Sequence, residues 1–238
     1  MGYLDYYHYQ AQARRIQTLQ DVERCARDKA HIYDRIVLPW LPADRSCPIA
    51  ELGCGHGSFL HWLKTKKFSN VAGVDSSAEQ VRLARQVGFP VDQDDVNRWL
   101  ARQPRNHYAA LVAMVVVEHL SKDDFMVLLR SAHAALAPGG CLILSLPNGD
   151  SPFVGRTLFN DITHVWTYTP NCLRSLAEMH GFSGAQFADE GAEAIRGHRW
   201  LKVPLAKLST LLLHALVRCA TRERIEYWHP LLWARLVK

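Results

Sequence analysis

"ELGCGHGSFL", residues 51–60, carries glycines at Gly53, Gly55 and Gly57, directly after an acidic residue and an apolar run. The preceding "PIAELG" (48–53) is short and apolar, as a buried strand is. "GSFLHWLKTKKF" (57–68) has the apolar spacing of a helix. Strand, glycine turn and helix in this order make a cradle in which the backbone can approach a ligand at the carboxyl edge of a sheet.

The same alternation continues outward. "NVAGVD" (70–75) predicts a second strand and "SAEQVRLARQVG" (77–88) a helix, with Ser77 as N-cap and Gly88 as stop. "FPVDQDD" (89–95) predicts a third strand, followed by a short helix "NRWLARQ" (97–103). "YAALVAMVVV" (108–117) reads as a fourth strand, buried on both faces. The helix "DDFMVLLRSAHAALAPGG" (123–140), closed by Pro138 and two glycines, leads to a fifth strand, "CLILSLP" (141–147). Strand–helix alternation at this interval means βαβ crossovers, hence a doubly wound, Rossmann-like α/β fold with a mostly parallel sheet.

Residues 1–38 read as helix, which the prolines of "PWLPADRSCP" (39–48) end. After the fifth strand, "NGDSPFVGRTLFNDITHVWTYTP" (148–170) has no clear period, and loops of this length are commonly functional. A helix "NCLRSLAEMHGF" (171–182), a strand "SGAQFADEG" (183–191), an amphipathic stretch (199–228) and a last strand "HPLLWARLVK" (229–238) complete the chain. The expected organisation is an N-terminal helical cap or lid (1–45), a ligand-binding core (46–200) with an acceptor loop at 147–170, and an amphipathic helix plus final strand (201–238).

The formal charge of +5 over 238 residues is too small, without a basic and aromatic stripe, to point to nucleic acid. Six scattered cysteines with no CxxC pair predict neither a disulfide scaffold nor a zinc site and fit a reducing compartment. "MGYLDYYHYQ" lacks the apolar core of a signal peptide, and no apolar run reaches the ~20 residues of a membrane span. A cytoplasmic location is therefore expected.

Two ligand classes use such a glycine cradle. A dinucleotide site favours GxGxxG, but here the spacing is GxGxG, with Ser58 where that third glycine would fall. Glu51 beside the cradle suits the cationic amino and sulfonium groups of S-adenosyl-L-methionine (SAM) better than it suits phosphate. Asp75, followed by Ser76 at the end of the second strand, can accept from ribose hydroxyls, a feature common to both classes. An acidic residue in "DQDD" (92–95) can accept from an adenine amino group, giving an adenosine clamp without a phosphate-binding element.

Taken in order, "ELGCGHGSFL", "GVDSS", "VDQDDV", "VVVEHL" and "LAPGGCLILSLPN" resemble the motifs of class I SAM-dependent methyltransferases over roughly residues 47–188. The resemblance implies that Gly53, Gly55 and Gly57 line the methionine end and that Glu51 holds the amino group. It puts Asp75 on the ribose and Asp95, or less directly Asp94, on the adenine. Capping of the next helix is the other role open to Asp94. Val96 would pack on the adenine ring, with Ala113 and Met114 facing the methionine, and S-adenosyl-L-homocysteine would be the product. "EHL" (118–120) recurs in this superfamily, commonly for packing and helix entry; in some quinone-pathway members that region helps bind a metal, and Asp123 and Asp124 stand nearby here, but no metal is expected.

The fourth strand is not followed by the Asn-Pro-Pro-Tyr type of motif, which disfavours DNA methylation. "NDITHVWTYTPNCLRSLAEMHGF" (160–182) resembles the D-x-T-H … T-P-x-x-L … GF pattern of methyltransferases encoded with bacterial surface-polysaccharide genes. This implies O-methylation of a sugar, a glycan or a related small molecule. A hydroxyl ionises far above neutral pH, so its attack gains from a positioned base. His164 is the candidate base, with Asp161 as partner or alternative; loop-pinning hydrogen bonds are the other use of such a pair. Phe153, Trp166 and Tyr168 are candidates to stack on a sugar face, and Arg156 to meet an acceptor anion. His8, His56 and His61, with the tyrosine-rich N-terminus, could form a lid.

Leu201, Leu205, Leu208, Leu212 and Leu216 recur at helical steps among Lys202, Lys207, Arg218, Arg222 and Arg224. That is the composition of an interfacial helix, so 201–224 is a candidate membrane-surface contact, or else a packed or dimerising helix. Two rival functions remain open: a quinone or other lipid methyltransferase, and a non-catalytic SAM-binding partner protein.

Overall fold

A computed structural model describes residues 16–191, 203–222 and 225–238. Its sheet holds seven strands: β1 (Ile49–Leu52), β2 (Val71–Asp75), β3 (Val91–Gln93), β4 (Tyr108–Met114), β5 (Leu136–Pro147), β6 (Gly184–Asp189) and β7 (Leu231–Val237). Their order is β3-β2-β1-β4-β5-β7-β6, all parallel except β7, which runs antiparallel to both neighbours. The described helices are α1 (Leu19–Ile32), α2 (Ser58–Thr65), α3 (Ala78–Ala84), α4 (Val96–Ala101), α5 (Lys122–Ala135), α6 (Val154–Leu158), α7 (Pro170–Met179) and α8 (Val203–Thr221).

Because successive strand side chains point to opposite faces, one run of apolar residues fills two cores. Ala50, Leu52, Leu111, Ala113, Leu142 and Leu144 pack against α4, α5 and α7. Ile49, Ala110, Val112 and Ile143 pack the other way, against α1, α2 and α3. The N-terminal segment belongs to this second core. Tyr33 meets Phe59 and Trp62 edge-on at 5.1 and 5.3 Å and lies 6.3 Å from Trp233 of β7. Strand order reverses between β1 and β4, which opens a crevice at the carboxyl ends of these two strands.

Several boundaries differ from the sequence reading for identifiable reasons. The fourth strand stops at Met114 rather than 117. Val115 takes a left-handed φ of +56°, and Val117–His119 form a 3₁₀ turn. Pro138, Gly139 and Gly140 do not close a helix. α5 ends at Ala135, and these residues form an irregularity in β5, where Tyr108 pairs with Leu136 but Ala110 with Cys141. The first helix begins at Thr18, whose hydroxyl and Asp21 make a reciprocal capping box; the part expected over 1–15 lies outside the described residues. The supposedly aperiodic loop contains the short α6.

Candidate active site

The glycine loop follows β1 directly. Gly53 sits at φ +69°, and a Cβ there would lie 2.4 Å from Val116 Cγ2, so only glycine lets the loop pass beneath the end of β4. Gly57, at φ +86°, is the N-cap of α2, and a Cβ would press on Ala84 at 3.0 Å. At Gly55, among the described residues, a Cβ would meet only Gln80 Oε1, at 3.9 Å.

Glu51 is fixed by β1 pairing with Gly73 on one side and Val112 on the other. It is 3% exposed, and its Oε2 has no hydrogen-bond partner among the described residues. Burial pushes its carboxyl well above the usual range, Asp75 adds to this, and Lys29 opposes it. A buried carboxylate with an unused oxygen at the mouth of a glycine cradle is a receptor for a cation, and the α-ammonium of SAM is one. The residues present fit the cofactor at this end.

Asp75 ends β2. Its Oδ2 accepts from Gly55 N–H (2.8 Å) and its Oδ1 from Ser77 N–H (2.9 Å). Burial raises this carboxyl, and those two donors hold it back. Each oxygen keeps a second lone pair for a ribose hydroxyl. Ser76 is exposed between Asp75 and the cap residue Ser77. The capping role open to Asp94 falls instead to Asp95, whose Oδ1 accepts from Asn97 and Arg98 N–H, each at 3.0 Å. Asp94 is held by Arg102 and, at 3.2 Å, by Arg98, and the Arg102 bond leads in lowering its carboxyl. Val96 is buried at the start of α4. Ala113 is fully buried in the core, and Met114 is half-buried at the end of β4.

The loop over 148–170 folds back onto the turn after β4, where Val165 N–H donates to Glu118 O at 2.7 Å. Asp161 and His164 do not form a side-chain pair. Asp161 Oδ1 accepts from Thr163 N–H (2.9 Å) and Thr163 Oγ1–H (2.6 Å), and Thr163 Oγ1 lies 2.9 Å from His119 Nδ1. His164 Nδ1 faces the carbonyls of Thr157 and Leu158 at 3.1 and 3.0 Å, and its ring meets that of His119 with centroids 4.7 Å apart. Burial pushes the Asp161 carboxyl up, but the Thr163 donors and the two imidazoles bring it below its ordinary value. Beneath them lies Glu118, 1% exposed, with neither carboxyl oxygen partnered among the described residues. Burial, with Asp161 adding, pushes it up to about 8.

The candidate aromatics separate. Tyr168 is a correction to the stacking expectation: it is buried against Phe125 (4.8 Å) and its hydroxyl is unpartnered among the described residues. Phe153 and Trp166 are exposed at the loop surface, with Lys122 Nζ 3.6 Å over the indole. Phe159, Ile162 and Val165, not anticipated, extend this apolar rim, and Arg156 is exposed on α6. His56 stands within the glycine loop and His61 on α2, while His8 lies outside the described residues. Sequence reasoning missed Thr163 and the pairing of His119 with His164. The D-x-T-H motif held the first, but nothing local signals the contacts that bring this loop to His119.

Residues 15–186 match the family model described as a methyltransferase domain. A trans-aconitate 2-methyltransferase of Azoarcus sp. (strain BH72) is 34% identical over 149 residues, 61% of this chain and 56% of the relative. A protein of the same name from Pseudomonas aeruginosa (strain UCBPP-PA14) is 34% identical over 43% of this chain and 37% of its own length. The chain thus spans about half or less of these relatives. Among solved structures, a SAM-dependent methyltransferase from Archaeoglobus fulgidus superposes with a TM-score of 0.68 at 19% identity, over 91% of this chain and 94% of that one. Phosphoethanolamine N-methyltransferase 2 of Haemonchus contortus, in complex with SAM, gives 0.64 at 13% identity, over 100% and 60%. The chain belongs to the methyltransferase domain family and has the class I, SAM-dependent methyltransferase fold.

Proposed function

We propose that this chain transfers a methyl group from SAM to a hydroxyl of a sugar, a glycan or a related small molecule, in cell-surface polysaccharide synthesis. When bound, SAM supplies an electrophilic methyl on a sulfonium. Glu51 takes the ammonium, Asp75 the ribose, Asp95 the adenine edge, and Val96 with Met114 the flanking apolar surface. The reading rests on the cluster of Asp161, His164 and His119, hung on the turn whose Val116 packs over Gly53. There the chain can orient an acceptor oxygen and take up its proton, at His164 or at Asp161. Holding both reactants in line supplies much of the remaining acceleration. Trp166 and Phe153 offer flat faces to a ring, and Arg156 a cation to an acceptor phosphate or carboxylate.

The exposed face of α8 supports a membrane-edge setting for the acceptor. Leu208, Leu211, Leu212 and Leu216 are exposed along it, with Arg218 and Arg222 nearby. No helix among the described residues is long and apolar enough to cross a membrane. Such a face suits peripheral contact with the inner surface of the cytoplasmic membrane.

Methyl-labelled SAM with a panel of nucleotide sugars, lipid-linked glycans, an alkyl-tailed catechol and trans-aconitate tests the assignment. Labelled product from a glycan acceptor, reduced about 10²–10⁴-fold in H164Q with cofactor binding intact, is the expected result. Label only in trans-aconitate or the catechol replaces the acceptor class. Label in none, despite cofactor binding, leaves a non-catalytic SAM-binding protein.

A further inference from the structure

We infer that the rim of the 148–170 loop and the leucine face of α8 act together as one surface that docks on an anionic lipid bilayer. The membrane contact proposed above rests on α8 alone; here the loop around the candidate acceptor site meets the same bilayer. The docking does not depend on the methyl-transfer reading, and only the acceptor class drawn from it does.

The loop turns apolar side chains outward. Phe159 is 83% exposed and Ile162 64%, and Phe153, Val165 and Trp166 are exposed as well. So many large apolar side chains left in water along one short stretch mark a binding surface. Lys122 Nζ stands 3.6 Å over the Trp166 indole, which pairs an apolar ring with an ammonium, as side chains at a lipid headgroup boundary do.

α8 repeats the pattern. Leu208, Leu211, Leu212 and Leu216 are exposed, while the half-buried Leu213, His214 and Val217 mark the side turned to the chain. Residues 203–222 contain Lys207, Arg218 and Arg222 and no Asp or Glu, which fits an anionic surface. This helix is not long and apolar enough to cross a bilayer, so it suits the interface plane.

Trp228 joins the two. Its indole Nε1–H donates to His214 Nε2 on α8 at 2.6 Å, with the rings edge to face at 4.5 Å. Its carbonyl accepts from Ser151 Oγ–H at 2.7 Å, and Ser151 Oγ accepts from Phe153 N–H at 3.2 Å. Asn148 Nδ2 donates to the carbonyls of Tyr227 and His229 on either side, at 2.8 and 3.1 Å. Two modest lipid contacts tied to one body bind more tightly than either alone. Asp161 and His164 lie between Phe159 and Trp166 in the chain, so docking brings both candidate bases to headgroup level. The acceptor class that follows is an amphiphile whose polar head carries the hydroxyl.

The test is sedimentation of the full chain with phosphatidylcholine vesicles, with and without phosphatidylglycerol. Binding that requires phosphatidylglycerol and falls with added salt is the expected result. The pair F159S and I162S, and separately the pair L212S and L216S, should each weaken it by about 10-fold or more. Far-UV circular dichroism and S-adenosylhomocysteine affinity should stay unchanged in both, which reports that they fold. Brominated acyl chains should quench the fluorescence that W166F removes. No binding to anionic vesicles overturns the inference, as does self-association through these side chains in its place. Binding that only the α8 pair weakens also overturns it and leaves α8 as the sole contact. Vesicle binding without any methylated acceptor would sink the proposed function and keep this surface. Methyl transfer to a water-soluble sugar without vesicle binding would do the reverse.

Discussion

The two halves of the crevice are built by different means. On the proposed cofactor side, each group is held by backbone N–H groups of the glycine loop and helix starts or by strand register. Asp75 is held by Gly55 and Ser77, Asp95 by Asn97 and Arg98, and Glu51 by pairing with Gly73 and Val112. On the proposed acceptor side, Glu118 and His119 come from the turn after β4, and Asp161, Thr163 and His164 from a loop more than forty residues later. A site fixed by local backbone keeps its geometry whatever the acceptor. A site assembled from a turn and a loop can change its acceptor by changing the loop.

The comparison breaks most visibly at Gly53. G53V combines a β-branched residue at φ +69° with a clash on Val116. The expected outcome is a loss of about 2–5 kcal/mol in urea unfolding and no measurable cofactor binding. A stable variant that binds normally would remove the glycine loop from the cofactor side.

Next comes the pH response of Glu118. Its folded-state pKa is raised to about 8 by burial, above the ordinary 4.5. Between these values the folded state holds a proton that the unfolded chain has lost, so stability falls as pH rises through this window. The wild type should lose about 2–4 kcal/mol relative to E118Q between pH 5 and 8.5, with a slope of no more than about 1.4 kcal/mol per pH unit. Parallel stability curves would mean that Glu118 has a partner or reaches water.

The smallest effect belongs to Tyr168, whose buried hydroxyl has no partner among the described residues. Y168F should leave thermal stability unchanged or raise it by up to about 1 kcal/mol, and should leave acceptor KM unchanged. A weakened acceptor would return Tyr168 to the substrate face.

Legibility in the sequence follows the same division. The alternation of apolar runs and helical segments was enough for the parallel sheet, because buried strands and amphipathic helices differ in period. Glu51 and Asp75 were legible as residues at the carboxyl ends of β1 and β2, and the three glycines as the turn that follows β1. What local pattern did not carry was conformational or long-range. Val115 adopts a left-handed φ that its residue type disfavours, so β4 looked three residues longer than it is. Asp94 and Asp95 are adjacent acids, and only the helix start at Val96 decides which one caps. Trp166 and Tyr168 are both aromatic, yet one is exposed and the other is core. The contact between His119 and Thr163 has no local signature.

Isothermal titration with S-adenosylhomocysteine, comparing wild type, D75A, E51Q and H164Q, tests the central claim most directly. Binding by wild type is predicted to be lost in D75A, weakened about 10–100-fold in E51Q through the missing charge-assisted bond, and unchanged in H164Q. No binding by well-folded wild type, or equal binding by all four, would contradict the assignment of this edge to the cofactor.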